Sequence, residues 1–166
     1  EVTEISIIKK NILRESISFP FGLNFLIRGI AAGLHCSLGE AESYFSLFKD
    51  GHAAVSSKKN LSLIMDKLKL EWLQKFQESL ANLSNDVSVP ADIYLTVDKK
   101  MAAFFSETIK TEQFNQYTLT ESKFEVNLLN PETFHGLAEF EENVIRDTFL
   151  IMDSIFFNRF FVNPAK

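Results

Sequence analysis

The opening stretch constrains the fold more than any other part of this chain. Polar and apolar residues alternate through Thr3-Glu4-Ile5-Ser6-Ile7-Ile8, and a less regular alternation runs over 12–19 with Leu13, Ser16, Ile17 and Phe19. Successive side chains on a strand point to opposite faces, so this pattern predicts two half-buried strands. Lys9-Lys10-Asn11 sits between them as a turn and makes the pair an antiparallel hairpin. Pro20-Phe21-Gly22 then ends the hairpin and releases the chain into a helix.

That first helix is predicted over 23–34, where Leu23, Leu26, Ile27, Ile30 and Leu34 recur at three- and four-residue intervals. Gly29 and Gly33 weaken it by up to about 1 kcal/mol each relative to alanine, which is best explained by close packing, here expected against a sheet. Ser37 and Glu40 form a capping box for a second helix, with Gly51 as its stop. A long third helix from about Lys58 or Asn60 to Leu83 carries Leu61, Ile64, Met65, Leu68, Trp72, Phe76, Leu80 and Leu83 on one face. After a turn-rich break over 86–90, the run Ile93-Tyr94-Leu95-Thr96-Val97 reads as a buried parallel strand. Asp98 caps a helix reaching Ile109, a polar loop covers 111–122, and a further strand covers 124–129. A last apolar helix is predicted over 139–161, with Asn143, Asp147, Ser154 and Asn158 on its polar stripe.

Strands alternating with helices in the second half imply parallel pairing through right-handed crossovers. The expectation is a single α/β domain over 1–166, with one mixed sheet that joins the hairpin to the later strands and is flanked by helices. Its length suffices for one sizeable core. The 17 phenylalanines are read as core filler, because a ring buries much apolar area with few rotamers to fix.

The order of strand, turn, strand, Pro-x-Gly, apolar helix and Glu-Ala-Glu helix resembles the second core subdomain of the actin-like ATPase superfamily. The likeness is to bacterial cell-division and pilus-assembly actin homologues of the FtsA and PilM type, and it spans residues 2–130. It implies a ribonuclease H-like fold and, in relatives, ATP held by glycine-bearing hairpin loops and a Glu-x-x-Lys on a helix. By family position, the candidate cofactor-binding residues are Thr3, Gly22, Glu42 and Asp98.

The grip itself is degenerate. Where relatives carry Pro-x-Gly-Gly this chain has Pro20-Phe21-Gly22-Leu23, and Ile27 and Gly29 stand where threonine and aspartate are usual in the cell-division branch. The lysine of Glu-x-x-Lys is Phe45, and the late Gly-Gly turn is Asp98-Lys99-Lys100. A phosphate cradle needs closely approaching backbone N–H groups, which glycine permits and larger side chains obstruct. The resemblance therefore implies a non-catalytic scaffold or adaptor of a bacterial envelope machine, in type IV pilus assembly or cell division, with no cofactor. The alternative is half of an ATP- and Mg-binding ATPase whose phosphate loops lie upstream of residue 1. Expected partners are proteins, either a membrane-protein tail or further copies of the chain, in the cytoplasm at the inner face of the membrane.

Other chemistry is sparse. A net charge of −5 supplies no field for a polyanion, so nucleic acid is not expected, and the pairs Lys9-Lys10, Lys58-Lys59 and Lys99-Lys100 read as solvated surface. The single Cys36 excludes an intrachain disulfide and reads as a small buried hydrophobe. His35, His52 and His135 lack partners at metal-ligand spacing, so no metal site is expected. Glu139, Glu141 and Glu142 read as the acidic first turn of the last helix. Neither a signal peptide nor direct membrane insertion is expected, because Asp153, Asn158 and Arg159 interrupt the apolar run over 149–162.

Overall fold

The computed structural model describes residues 2–10, 12–49, 55–83, 89–99, 101–111, 123–139, 141, 144 and 146–159. Within them the chain is mixed α/β, in the order β1 (Thr3–Lys9), β2 (Ile12–Phe19), α1 (Leu23–Leu34), α2 (Leu38–Lys49), α3 (Val55–Leu83), β3 (Asp92–Leu95), α4 (Ala102–Thr111), β4 (Glu125–Leu128), the 3-10 turn η1 (Pro131–Phe134) and α5 (Thr148–Phe157). Apart from η1, this is the element order read from the sequence. Gly51, His52, Lys100, Glu142 and Asn143 lie outside the described residues, as do the break at 84–88, the segment 112–122 and the end of the predicted last helix.

The alternating opening does form a hairpin, with Thr3 opposite Phe19 and Ile5 opposite Ile17. Ile7 and Phe19 are buried while Glu4, Ser6, Ser16 and Ser18 are exposed, as a period of two demands. β3 and β4 pair in parallel, Ile93 with Val126 and Leu95 with Leu128, with α4 as the connection between them. The single mixed sheet is corrected: among the described residues the strands form two separate two-stranded sheets, β1-β2 and β3-β4. Both apolar faces drain into one core, and side chains rather than a shared hydrogen-bond ladder join them. Ile5, Ile17, Ile93 and Leu95 pack against the cluster that holds Ile7, Phe19 and Val126.

α3 organises that core. At 29 residues it spans about 43 Å at ~1.5 Å per residue, and it buries Leu61, Met65, Leu68, Trp72, Phe76, Leu80 and Leu83. Trp72 is 2% exposed, with its ring 6.1 Å from Phe19 and 5.1 Å from Phe105, so it joins the hairpin to α4. The glycines of α1 serve close packing as expected, but their neighbour is α3 and not a sheet. A Cβ at Gly33 would lie 2.7 Å from Ile64 Cδ1, and one at Gly29 would fall on the Leu68 side chain. α1 ends at His35, whose φ of 56° is left-handed, a conformation that costs a non-glycine residue about 1–2 kcal/mol.

The capping box of α2 is present: the Glu40 carboxylate accepts from Ser37 N (2.8 Å) and Ser37 Oγ (2.7 Å), while Glu40 N donates to Ser37 Oγ at 3.3 Å. The last helix is corrected at its start, which is Thr148 and not Glu139. Its start is set by Asp147, whose side chain accepts from Leu150 N at 3.0 Å, so the glutamates at 139–142 are not its first turn. The phenylalanines divide accordingly. Phe19, Phe45, Phe76, Phe105 and Phe124 are buried, whereas Phe149, Phe156 and Phe157 on α5 are exposed and only Ile151 of that helix is buried.

Candidate functional site

The structure brings two of the four candidate residues together. Thr3, at the start of β1, donates its hydroxyl to the carbonyl of Phe21 at 2.7 Å, and Thr3 Oγ1 itself accepts from Trp72 Nε1 at 3.1 Å. Gly22 follows Phe21 and is the N-cap of α1 in extended backbone (φ −119°, ψ −151°), its carbonyl accepting from Leu26 N at 3.4 Å. Thr3 and the Phe21-Gly22 turn therefore form one junction between the hairpin, α1 and α3. The chemistry of this junction is structural. The threonine proton is committed to a carbonyl, and a lone pair satisfies the indole N–H that would otherwise be buried without a partner.

Aromatic rings line the same place. Phe21 stacks on Phe25 with centroids 4.0 Å apart, Phe19 meets Phe21 edge-on at 6.2 Å, and Trp72 stacks on Phe76 at 5.0 Å. Offset and edge-on pairs of this kind add cohesion beyond the area they bury. Phe21 and Phe25 thus crowd the turn at Gly22 with stacked rings.

Glu42 and Asp98 stand apart from this junction in kind. Glu42 is exposed on α2, whose inward residues are Ala41 and Phe45, 0% and 6% exposed. Phe45, one turn along from Glu42, is thus part of the apolar core and faces away from solvent. Asp98 is exposed between β3 and α4, and its carbonyl accepts from Met101 N at 2.8 Å, closing the turn that leads into α4.

Remaining polar candidates follow the same pattern. Cys36 is half-buried against the core rather than fully inside it, and His35 is the α1 C-cap. His135 closes η1, where Asn130 and Thr133 make a reciprocal cap at 3.0 Å and 3.2 Å. Among the described residues no group of three or more His, Cys, Asp or Glu side chains converges as a metal site would require. A depression of about 330 Å³ lies against α2, lined by Gly39, Glu40, Ser43, Tyr44 and Leu47, and includes none of Thr3, Gly22, Glu42 or Asp98. The Glu40 carboxyl there is held below its ordinary value of 4.5, first by the Ser37 hydroxyl and then by the Ser37 backbone N–H.

What sequence reasoning missed here is the Thr3-Trp72 bond. A buried indole needs an acceptor, and Thr3 sits where the first strand enters the core, but a separation of 69 residues hides the pairing from any local pattern. No helix among the described residues is long and apolar enough to cross a membrane. Comparison with protein-family models, with curated proteins and with solved structures finds no match for this chain.

Proposed function

We propose that this chain is a non-catalytic scaffold or adaptor domain, resembling the second core subdomain of actin-like ATPases, that works through protein partners in a bacterial envelope machine. The α/β part of that resemblance is supported by the element order and by the parallel pairing of β3 with β4 through α4, whereas the hairpin stands in a separate sheet. The observation that carries the non-catalytic reading is the burial of Phe45 at 6% exposure. A lysine serves a nucleotide only if its ammonium reaches solvent or ligand, and a residue on the inward face of α2 does neither.

The second support is Thr3, whose hydroxyl both donates to Phe21 and accepts from Trp72. Rotating it toward a phosphate would break one bond and strand the indole N–H, at a cost of about 1–3 kcal/mol. Phe21 and Phe25, stacked at 4.0 Å, further crowd the Pro20-Phe21-Gly22-Leu23 turn, where the resemblance implies a second glycine. Equilibrium dialysis with labelled ATP and Mg²⁺ tests the proposal on the full chain. No retention of nucleotide is expected at millimolar ATP, and saturable retention would return the chain to the ATP-binding class.

A further inference from the structure

We propose that the tip of the β1–β2 hairpin is a peripheral docking surface for an anionic lipid bilayer. The inference stands apart from the adaptor reading, because it rests on the hairpin tip alone.

The tip is where this chain leaves aliphatic side chains and cations together in water. Ile7 is 3% exposed, yet the next residue, Ile8, is 63% exposed, with Ile12 at 54% and Leu13 at 59%. The change coincides with a register shift between Ile7 and Ile8, which sets Ile8 opposite Leu13 and Lys9 opposite Ile12. Successive pairs project from opposite faces of a ribbon. Apolar groups therefore stand on both faces of the tip, Ile8 with Leu13 on one and Ile12 on the other.

Lys9, Lys10 and Arg14 surround them, all exposed. The ion pairs seen among the described residues lie on α3, between Lys67 and Glu71 and between Lys75 and Glu78, and involve none of these three. Glu15, next along β2, pairs with Ile7 at the core end of the ribbon and is half-buried. A chain of net charge −5 thus carries a segment with three cations and no exposed carboxylate over residues 8–14. Lys10, directly after β1, has a left-handed backbone (φ 53°).

The two-faced distribution decides between a bilayer and an acidic protein. A protein surface meeting one face of the ribbon leaves the aliphatic groups of the other face in water. Insertion to the headgroup-acyl boundary removes both from water at once, with lysine and arginine stems reaching back to lipid phosphates. The cations add attraction to an anionic leaflet, about fivefold in affinity for each residue near the surface. The contact is peripheral, and no helix among the described residues is long and apolar enough to cross the bilayer.

Vesicle co-sedimentation of the full chain tests this, comparing phosphatidylcholine containing roughly one third phosphatidylserine with phosphatidylcholine alone. Binding to the anionic vesicles only is expected. Lys9→Gln with Lys10→Gln should weaken it roughly twentyfold, and Ile8→Ser with Leu13→Ser, which leaves every charge in place, should weaken it at least about tenfold. Ile12→Ser is the independent variant for the other face and should also weaken binding. Because these side chains are exposed, circular dichroism melts of the variants should match the parent. Absence of binding to the anionic vesicles overturns the proposal. So does undiminished binding by the Ile8→Ser, Leu13→Ser variant, and so does binding to soluble poly-glutamate in place of vesicles, which would assign the tip to an acidic protein.

Discussion

Replacing Trp72 by alanine removes the group that ties the hairpin to α3 and α4, and its cost follows from the structure. The side chain is 2% exposed and meets the rings of Phe19, Phe76 and Phe105. A buried tryptophan removes roughly 200 Å² from water, or about 5 kcal/mol at ~25 cal/mol/Å², an upper bound because the unfolded chain already shelters part of that surface. Losing the Nε1 bond to Thr3 adds about 1 kcal/mol. Partial collapse of neighbouring side chains into the vacated space recovers some of this, so a loss of about 3–5 kcal/mol is expected. Urea unfolding followed by far-UV circular dichroism measures it, since Trp72 is the single tryptophan and its own fluorescence disappears with it. A double-mutant cycle of Trp72→Phe with Thr3→Val isolates the hydrogen bond, with a coupling of about 1 kcal/mol. A loss below about 1 kcal/mol for Trp72→Ala would refute the assignment of Trp72 as the core hub and make it a surface anchor.

Gly29→Ala should destabilise by about 1–3 kcal/mol despite gaining up to ~1 kcal/mol of helix propensity, because the new methyl meets the buried Leu68 side chain; a thermal melt at or above the parent's would show that Leu68 moves aside freely. The Glu40 carboxyl titrates in the folded chain below its ordinary value of 4.5, chiefly through the Ser37 hydroxyl. Its contribution is therefore complete above pH 4.5 and is lost as pH falls through the lower folded-state value. The stability gap between parent and Glu40→Ala should accordingly close on acidification, and a gap independent of pH would remove the capping box from the account. Asp147→Ala should cost α5 about 1 kcal/mol through its lost N-cap, read as faster amide exchange over that helix with the core unchanged.

Local patterns made the hairpin, α1 and α3 legible, because their apolar spacing is long enough to fix element type, although α3 begins at Val55, ahead of the expected start at 58 or 60. The Ser37 and Glu40 box placed the start of α2 for the same reason: both partners lie within one turn. The pairing of the two sheets was not legible. Isoleucines at 5, 7 and 93 announce which faces are buried, but burial can be met by packing side chains together as well as by extending a ladder, and here packing meets it. α5 was misjudged in extent because its composition is apolar on nearly all sides, so periodicity gave no start, and the residue that sets it is the cap, Asp147. At the candidate site, Thr3 and Gly22 were named through a resemblance, whereas the junction they form depends on Trp72, far away in sequence. The outward aliphatic pair of Ile8 and Leu13 was likewise hidden, since a one-residue register shift decides which partner each strand residue meets.

Ligand-dependent thermal stability of the full chain tests the central claim most directly. Mg-ATP at a hundred times its dissociation constant would add roughly 2.7 kcal/mol to a true binder, a shift of several degrees for a domain of this size. With Phe45 in the core and the Thr3 hydroxyl committed to Phe21, the melting temperature is expected not to move with Mg-ATP up to millimolar concentration, in the parent and in Glu42→Ala alike. A clear ATP-dependent rise in the parent that Glu42→Ala abolishes would contradict the account and make Glu42 part of a working nucleotide site.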